Sequence, residues 1–394
     1  MTENILNIEN LHLNFYTYEG VVRALDGVNL SLRRGETLGI VGETGCGKSV
    51  TGLTILDIVL PPGRIEDGKV IFTPRKKSID LLTTRDAVLR RIGGEYISMI
   101  FQDPRSTLNP VYTVGDQIAE TLLVHRRKEE LVKRAITRMD EELGAREAKQ
   151  KTPEVAKKST KAGPLTKYYR RVFQKMLSNP RSATVNILGR IPVTRRFKRI
   201  LNQEAKKEAV NMLKLMRIPD PERVVDMYPH ELSGGMAQRV VIAIALACSP
   251  EVLIADEPTT NLDVTVQLQI LRLIKELEDK FATSVIYVTH DMGIVAEMCD
   301  RVAVMYAGNV VELGGVLDIF KRPLHPYTQA LLESIPRPGI PFKSIEGTVP
   351  SLINPPSGCR FHNRCRYAKD ICTTAKPKMV EAEKDHFIQC FMYQ

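Results

Sequence analysis

No run of about 18 apolar residues occurs in the 394-residue chain, so the sequence predicts no segment that crosses a membrane. Met1-Thr2-Glu3-Asn4 has no basic stretch leading into an apolar one, so no secretory leader is predicted and the cytoplasm is the expected compartment. Membrane contact would then come through partners or surface charge. The short Cys-x2-Cys knuckle of most structural zinc sites is missing. Heptads are missing from the long basic stretch in the middle of the chain, which is also broken by Pro153, Pro164, Pro180 and Pro192. What is present suits a soluble globular protein: 43% hydrophobic and 26% charged residues, and enough length for one α/β core with further modules.

Gly42-Glu43-Thr44-Gly45-Cys46-Gly47-Lys48-Ser49 fits the pattern G-x-x-x-x-G-K-[ST]. Before it, Glu36 to Val41 reads as a buried strand; after it, Lys48 to Val59 reads as a helix. Glycines let the backbone curl until its N–H groups face phosphate oxygens, and the helix N-terminus adds favourable partial charge. Gly42 through Ser49, with Val50 beside them, are therefore candidate nucleotide contacts. Lys48 is placed to reach the β/γ-phosphates, and the Ser49 hydroxyl to ligate Mg²⁺. A Gly-rich turn matching by chance is the bland alternative, and the flanking strand and helix weigh against it.

Glu251-Val252-Leu253-Ile254-Ala255-Asp256-Glu257-Pro258 is an apolar strand ending in two carboxylates. Asp256 is the candidate for the Mg²⁺ shell and Glu257 for polarising an attacking water. Ser284 to Val288 is a second apolar run and delivers Thr289-His290-Asp291 at its end. Leu232-Ser233-Gly234-Gly235-Met236 precedes a helix expected from about Ala237, a second phosphate-binding device built of a hydroxyl, amides and a helix N-terminus. Each segment alone reads as a buried strand or a turn; order and spacing together are hard to reach by accident.

With Gln102 in Ile100-Phe101-Gln102-Asp103-Pro104 and Asn261-Leu262-Asp263 added, these motifs stand in the order found in the ATP-binding subunits of ABC transporters, which the chain resembles over roughly Leu6 to Val310. The nearer resemblance is to the oligopeptide/dipeptide importer ATPases. It rests on Pro104-Arg105-Ser106-Thr107-Leu108-Asn109-Pro110, on Tyr228-Pro229-His230-Glu231 running into the Leu232-Ser233-Gly234-Gly235-Met236 signature, on His325-Pro326-Tyr327-Thr328-Gln329-Ala330-Leu331-Leu332, and on a Cys-rich tail. Two positions depart from the pattern: Ala237 follows Met236 where a long polar or basic residue is common, and Asn261 stands where Ser, Ala or Gly is usual.

The resemblance implies an α/β fold: a P-loop ABC ATPase over 1–320 with a RecA-like core, an antiparallel β-subdomain and a helical subdomain, then an extension over 321–394. It implies an ATP-hydrolysing importer motor for peptides, with nickel complexes or oligosaccharides as alternative cargo. Glu257, His290 and Gln102 would be catalytic, with Gln102 also sensing Mg²⁺, and Asp263 would organise a dimer interface. Ser233 and Gly235 would contact ATP bound by a second ATPase subunit. Tyr16 is the candidate for stacking on adenine, with Tyr18 as its rival. Expected partners are that second, related but different subunit, two transmembrane permeases and an external solute-binding protein, at the cytoplasmic face of the membrane. A non-transport ABC ATPase acting on nucleic acid, or a redox or metal sensor built on the tail, are the rivals.

Roughly 128–203 looks inserted. Arg126 to Lys207 holds about 24 Lys and Arg against about 8 Asp and Glu, which leaves the remainder near −6 in a chain of net charge +10. Lys151 to Gly163 reads as a linker, and Tyr168 to Leu177 and Arg195 to Leu201 as short basic amphipathic helices. A solvated excursion competes here with a face for anionic lipid or a partner; nucleic acid ranks below both. Of seven cysteines, Cys46, Cys248 and Cys299 are scattered, whereas Cys359, Cys365, Cys372 and Cys390 cluster in the tail. Four thiolates match the need of a [4Fe–4S] cluster, which is the expectation. Zn²⁺, with His362 or His386 replacing a thiolate, is the alternative.

Overall fold

The computed structural model describes residues 3–74, 77–125, 127–150, 170–171, 174, 193–336 and 344–394. They form two compact units, Met1–Asp103 with Ser249–Gln394, and Pro104–Cys248.

In the first unit β1 (Asn4–Thr17) and β2 (Gly20–Arg33) make a long hairpin. Leu6, Ile8, Leu11 and Leu13 face the core together with Val28, Leu30 and Leu32. The step from Ile8 to Leu11 breaks strict alternation because a bulge lies there, with Asn10 at φ +46°. β3 (Thr37–Val41) is buried at all five positions, as an interior parallel strand must be. The phosphate-loop segment follows, then α1 (Lys48–Ile55). This helix stops short of the expected Val59. Asp57 turns to φ +52°, which ends the helix, and Pro61-Pro62 lies just beyond. β4 (Gly63–Phe72) and β5 (Ile79–Asp80) complete an antiparallel sheet ordered β2-β1-β4-β5, and β6 (Ile97–Ile100) returns to the main sheet.

The second unit is helical. α2 (Val114–Val124) is capped by the Thr113 hydroxyl, which accepts from the Asp116 N–H at 3.2 Å. α3 (Arg127–Gln150) and α4 (Val193–Leu215) take up the two ends of the basic stretch. Arg195 to Leu201, expected as a short helix, is the start of the longer α4. Leu131, Val132, Ala135 and Met139 on α3 are buried, as are Leu201, Ala205, Ala209 and Met212 on α4. Arg138 bridges to Glu204 at 2.6 Å and Arg134 to Glu208, tying the two helices together. The ends of the basic stretch therefore belong to the packed helical unit. Lys151–Gly163, and Tyr168–Leu177 apart from three residues, lie outside the described residues. α5 (Gly234–Leu246) starts earlier than the expected Ala237, because Ser233 caps it and draws both glycines into the first turn.

Returning to the first unit, β7 (Val252–Asp256), α6 (Val264–Phe281), β8 (Ser284–Val288), α7 (Met292–Met298), β9 (Arg301–Tyr306) and β10 (Asn309–Gly315) follow in turn. The sequence predicts a hairpin here with its turn at Gly308-Asn309; β9 and β10 form it, turning one residue earlier at Ala307-Gly308. α8 (Pro326–Glu333) comes next, and Pro336 to Pro341, which the sequence predicts as a linker, lies outside the described residues after Pro336. The tail adds β11 (Val380–Glu383) and β12 (His386–Ile388) to the main sheet, whose order is β11-β12-β10-β9-β3-β8-β7-β6. At this junction His386 Nε2 lies 2.8 Å from a Glu312 carboxylate oxygen, with both residues buried. No helix among the described residues is long and apolar enough to cross a membrane.

Candidate functional site

β3, β8, β7 and β6 are neighbours and parallel, so their carboxyl ends open on one edge of the sheet. Ligands bind at such edges because the loops leaving the strands meet there. Four of the sequence motifs follow from these four strands: Gly42–Ser49 after β3, Gln102 after β6, Asp256-Glu257 at β7 and His290 after β8.

The loop after β3 curls tightly. Gly42 has φ +152°, and a Cβ there would meet the Met305 carbonyl oxygen at 2.1 Å. Gly47 has φ +100° and lies against Ala24 and Leu25, so no side chain fits. Lys48 Nζ donates to the Gly42 and Glu43 carbonyls at 2.8 and 3.1 Å and so ties the loop to itself. Thr44 and Gly45 are exposed at the tip, Cys46 is buried beneath, and Val50 lies in the first turn of α1.

Ser49 Oγ donates to Asp256 Oδ1 at 2.9 Å. Burial pushes the Asp256 carboxyl above its ordinary pKa, the Ser49 hydrogen bond opposes this, and neighbouring Glu257 adds to it. Two converging hard oxygens, one on a buried acid whose charge lacks full compensation, fit a magnesium ion. Glu257 takes φ +44°, a conformation a long side chain seldom adopts, and its N–H is held by the Val288 carbonyl at 2.9 Å. Its carboxylate accepts from Gln102 Nε2 at 3.0 Å and the Thr260 hydroxyl at 2.9 Å, and lies 2.8 Å from His290 Nδ1. Burial works against the Glu257 charge, but the His290 and Thr260 hydrogen bonds and the charge of Lys48 hold its pKa below the usual carboxylate value. Glu257 is thus an anion fixed at both oxygens at the mouth of the site.

The structure brings Gly42–Ser49, Gln102, Asp256, Glu257 and His290 together on one unit. Asp263, also on that unit, caps α6 by accepting from the Val266 N–H at 3.0 Å. Ser233 and Gly235 belong to the helical unit, where Ser233 is exposed and caps α5. Tyr16 is 43% exposed and is anchored to β4, its hydroxyl donating to Glu66 at 2.8 Å and Arg64 lying over its ring. Its rival Tyr18 is fully exposed on the hairpin turn. Sequence reasoning missed Thr260, and it missed Tyr327 and Arg364, which touch the phosphate loop from far along the chain. The Tyr327 motif was visible, but nothing in it pointed to the loop.

The tail corrects an expectation. Cys359, Cys365, Cys372 and Cys390 line one small cavity with His325 and Phe361. Yet among the described residues no three His, Cys, Asp or Glu side chains form a group able to hold a metal ion. The expected [4Fe–4S] cluster, and with it the zinc alternative, is therefore set aside; the cysteines are free thiols. Burial pushes the Cys359 thiol up to about 11 and raises Cys365 and Cys390 as well. The cluster expected from the four thiolates would have stapled a tail with little apolar core of its own. Strand pairing of β12 with β10, the His386–Glu312 contact and the packing of Phe361 on Tyr306 and Tyr327 do that work instead.

Comparison with known proteins agrees with this architecture. Residues 25–260 match the ABC transporter family, and residues 311–372 match the oligopeptide/dipeptide transporter C-terminal region. The chain is 41% identical to the dipeptide transport ATP-binding protein DppD of Bacillus subtilis, over 99% of this chain and 95% of that protein. It is 38% identical to the oligopeptide transport ATP-binding protein OppD of Escherichia coli, over 95% and 89%. Among solved structures, the ATP-binding cassette MJ0796, in a dimeric post-hydrolysis state bound to ADP and Pi, aligns with a TM-score of 0.53. It is 22% identical and covers 79% of this chain and 99% of that one, which is a likeness of fold. The chain belongs to the ABC transporter family and carries the C-terminal region of its oligopeptide/dipeptide transporters.

Proposed function

We propose that the chain is the ATP-hydrolysing motor subunit of a peptide importer. The observation that carries the reading is the Glu257 carboxylate, ionised and clamped by Gln102, Thr260 and His290 beside the Ser49–Asp256 pair. Phosphoryl transfer to water needs positioning and charge compensation more than covalent chemistry. Glu257 orients the water in line with the γ-phosphorus. His290 contacts the γ-phosphate and keeps that geometry. The amides of Gly42–Ser49 and the Lys48 ammonium bind the phosphates, and Tyr16 takes the adenine. Ser49, Asp256 and Gln102 would hold Mg²⁺, which when bound offsets charge on the β/γ-phosphates.

One phosphate loop and one signature per chain imply a working pair of subunits. Ser233 and Gly235 would meet the γ-phosphate held by the second subunit, and Asp263 would organise the interface. ATP then joins two subunits and hydrolysis parts them, a cycle driven by different affinities for the open and closed pair. We read the pair as a heterodimer on two permease subunits, fed by an external binding protein, at the cytoplasmic face of the membrane. A cavity of about 500 Å³ beside Phe101, lined also by Ile58, Leu89 and Met99, supports reading the surface near the Gln102 loop as the one that meets a permease. The basic stretch suits anionic lipid. Peptide as cargo rests on the relatives, which are dipeptide and oligopeptide transport proteins.

The test is purification of the tagged full chain from its own membranes. Two multi-spanning proteins and a second ATPase should accompany it, and the complex should take up peptide in vesicles with ATP. Recovery with nucleic acid and without membrane proteins would overturn the reading. Uptake of nickel complexes or oligosaccharides in place of peptide would change only the cargo.

A further inference from the structure

The C-terminal extension reaches back to the phosphate loop at Glu43. Arg364 lies between two tail cysteines in the sequence, and its side chain is only 5% exposed. Its Nη1 is 3.1 and 3.0 Å from the two Glu43 carboxylate oxygens and also donates to the Tyr306 hydroxyl at 3.2 Å. The guanidinium is itself held from behind, Nε donating to the Glu346 carbonyl at 2.8 Å, with the Tyr306 and Phe361 rings alongside. Its direction is therefore set by the extension and not by the loop it touches.

Glu43 is held at three points. Its carboxylate meets Arg364, its N–H donates to the Tyr327 hydroxyl at 3.0 Å, and its carbonyl accepts from Lys48 Nζ at 3.1 Å. A second tail arginine steadies the far side of the loop. Arg360 donates to the Ala307 and Arg23 carbonyls and pairs with Asp26 at 3.1 Å, and the adjoining Gly308 N–H donates to the Cys46 carbonyl at 2.9 Å.

We propose that Arg364 is a positioning residue for ATP, and that the extension is thereby a working part of the phosphate site. Glu43 puts a carboxylate, 26% exposed, into a loop that receives a polyanion. Arg364 neutralises that carboxylate and turns it away from the phosphates. Without Arg364 the carboxylate is a like charge beside the phosphates, and repulsion at such distances weakens binding of the ground state and the transition state alike. The effect belongs in KM and Kd for ATP, not in kcat. The proposal rests on the phosphate-loop reading of Gly42–Ser49.

The experiment measures Kd for MgATP on the full-length chain, and KM and kcat for ATP in the assembled transporter. Arg364→Ala should raise Kd and KM about tenfold, the size of a lost charge-assisted hydrogen bond, while kcat stays nearly constant. Arg364→Gln, which keeps a donor for Glu346 and Tyr306 but not the charge, should do the same and carries the test if the alanine variant does not fold. Arg364→Lys should restore most of the affinity. Glu43→Gln combined with Arg364→Gln should also bring Kd back towards the parent value, since the offending charge is gone; a merely structural arginine would not be rescued this way. Unchanged Kd and KM in Arg364→Gln, or a defect that persists in the double variant, overturns the proposal. Lys48→Ala separates the two readings. Lost ATP binding there with an unaffected Arg364→Gln removes the clamp and leaves the phosphate loop; retained binding in Lys48→Ala removes the loop reading itself.

Discussion

Glu257 combines a left-handed backbone with three side-chain partners, and each has a consequence for chemistry. The left-handed turn costs energy that only a fixed surrounding can hold, and it aims the carboxylate at Gln102 and His290. Glu257→Gln keeps the shape and removes the anion. It should bind ATP but hydrolyse it slower by about 10²–10⁴, the range for a lost general base. ATP should then trap the closed pair, visible as a stable ATP-dependent dimer in size-exclusion chromatography; near-normal turnover would refute the role. Thr260 offers a finer test. Its hydroxyl hydrogen-bonds the ionised carboxylate and so lowers the Glu257 pKa. Thr260→Ala should raise that pKa. Glu257 then loses its charge at a higher pH on acidification, so the acid limb of the ATPase pH profile should move upward, with a modest loss at neutral pH. An acid limb left in place would mean that Glu257 does not govern it.

Elements carry the next layer. α8 begins at His325, whose Nδ1 accepts the Tyr327 N–H at 3.0 Å and whose backbone N–H donates to a Glu312 carboxylate oxygen at 2.9 Å. Burial pushes the imidazole down to about 4, with the Glu312 charge opposing. The unfolded chain binds a proton near the ordinary value of about 6.5, so between these limits it holds more protons than the folded one. Stability of this element is full above pH 6.5 and should fall on acidification, by on the order of 3 kcal/mol across the window. Hydrogen-exchange protection of α8 should show the loss between about pH 6.5 and 4, and His325→Asn, a neutral cap, should flatten it; equal slopes would refute it. The same layer divides what was legible from what was not. Strands at Thr37–Val41, Val252–Asp256 and Ser284–Val288 were readable, because a fully buried parallel strand is a continuous apolar run and its last residues reach the sheet edge by geometry alone. Most of the candidate site was legible for that reason. The Glu43–Arg364 contact spans 321 residues and leaves no trace in periodicity or spacing. The tail was misread because the right number of thiols does not by itself make a group able to hold a metal, and the short β11 and β12 have too few alternating residues to stand out.

The whole molecule is a mildly acidic body with its positive charge concentrated in one stretch, and the described ends of that stretch are packed helices. Removing all of 128–203 would strip Leu131, Val132, Ala135, Met139 and Leu201 from the helical core, so the informative deletion is 151–192. That variant should keep ATP affinity and lose binding to vesicles rich in anionic lipid, most clearly at low salt where charge is least screened. Unchanged vesicle binding would leave the stretch as a solvated excursion. The tail has a consequence at this scale too. A β-sheet with an open border invites a strand from another molecule. Here the border beyond β10 is closed by β12, and the outermost strand is β11, only four residues long, with Glu381 and Glu383 exposed. A second copy laid against it would bring glutamate against glutamate. The extension therefore does for the crowded cell what its arginines do for the loop: it keeps a reactive surface from finding the wrong company.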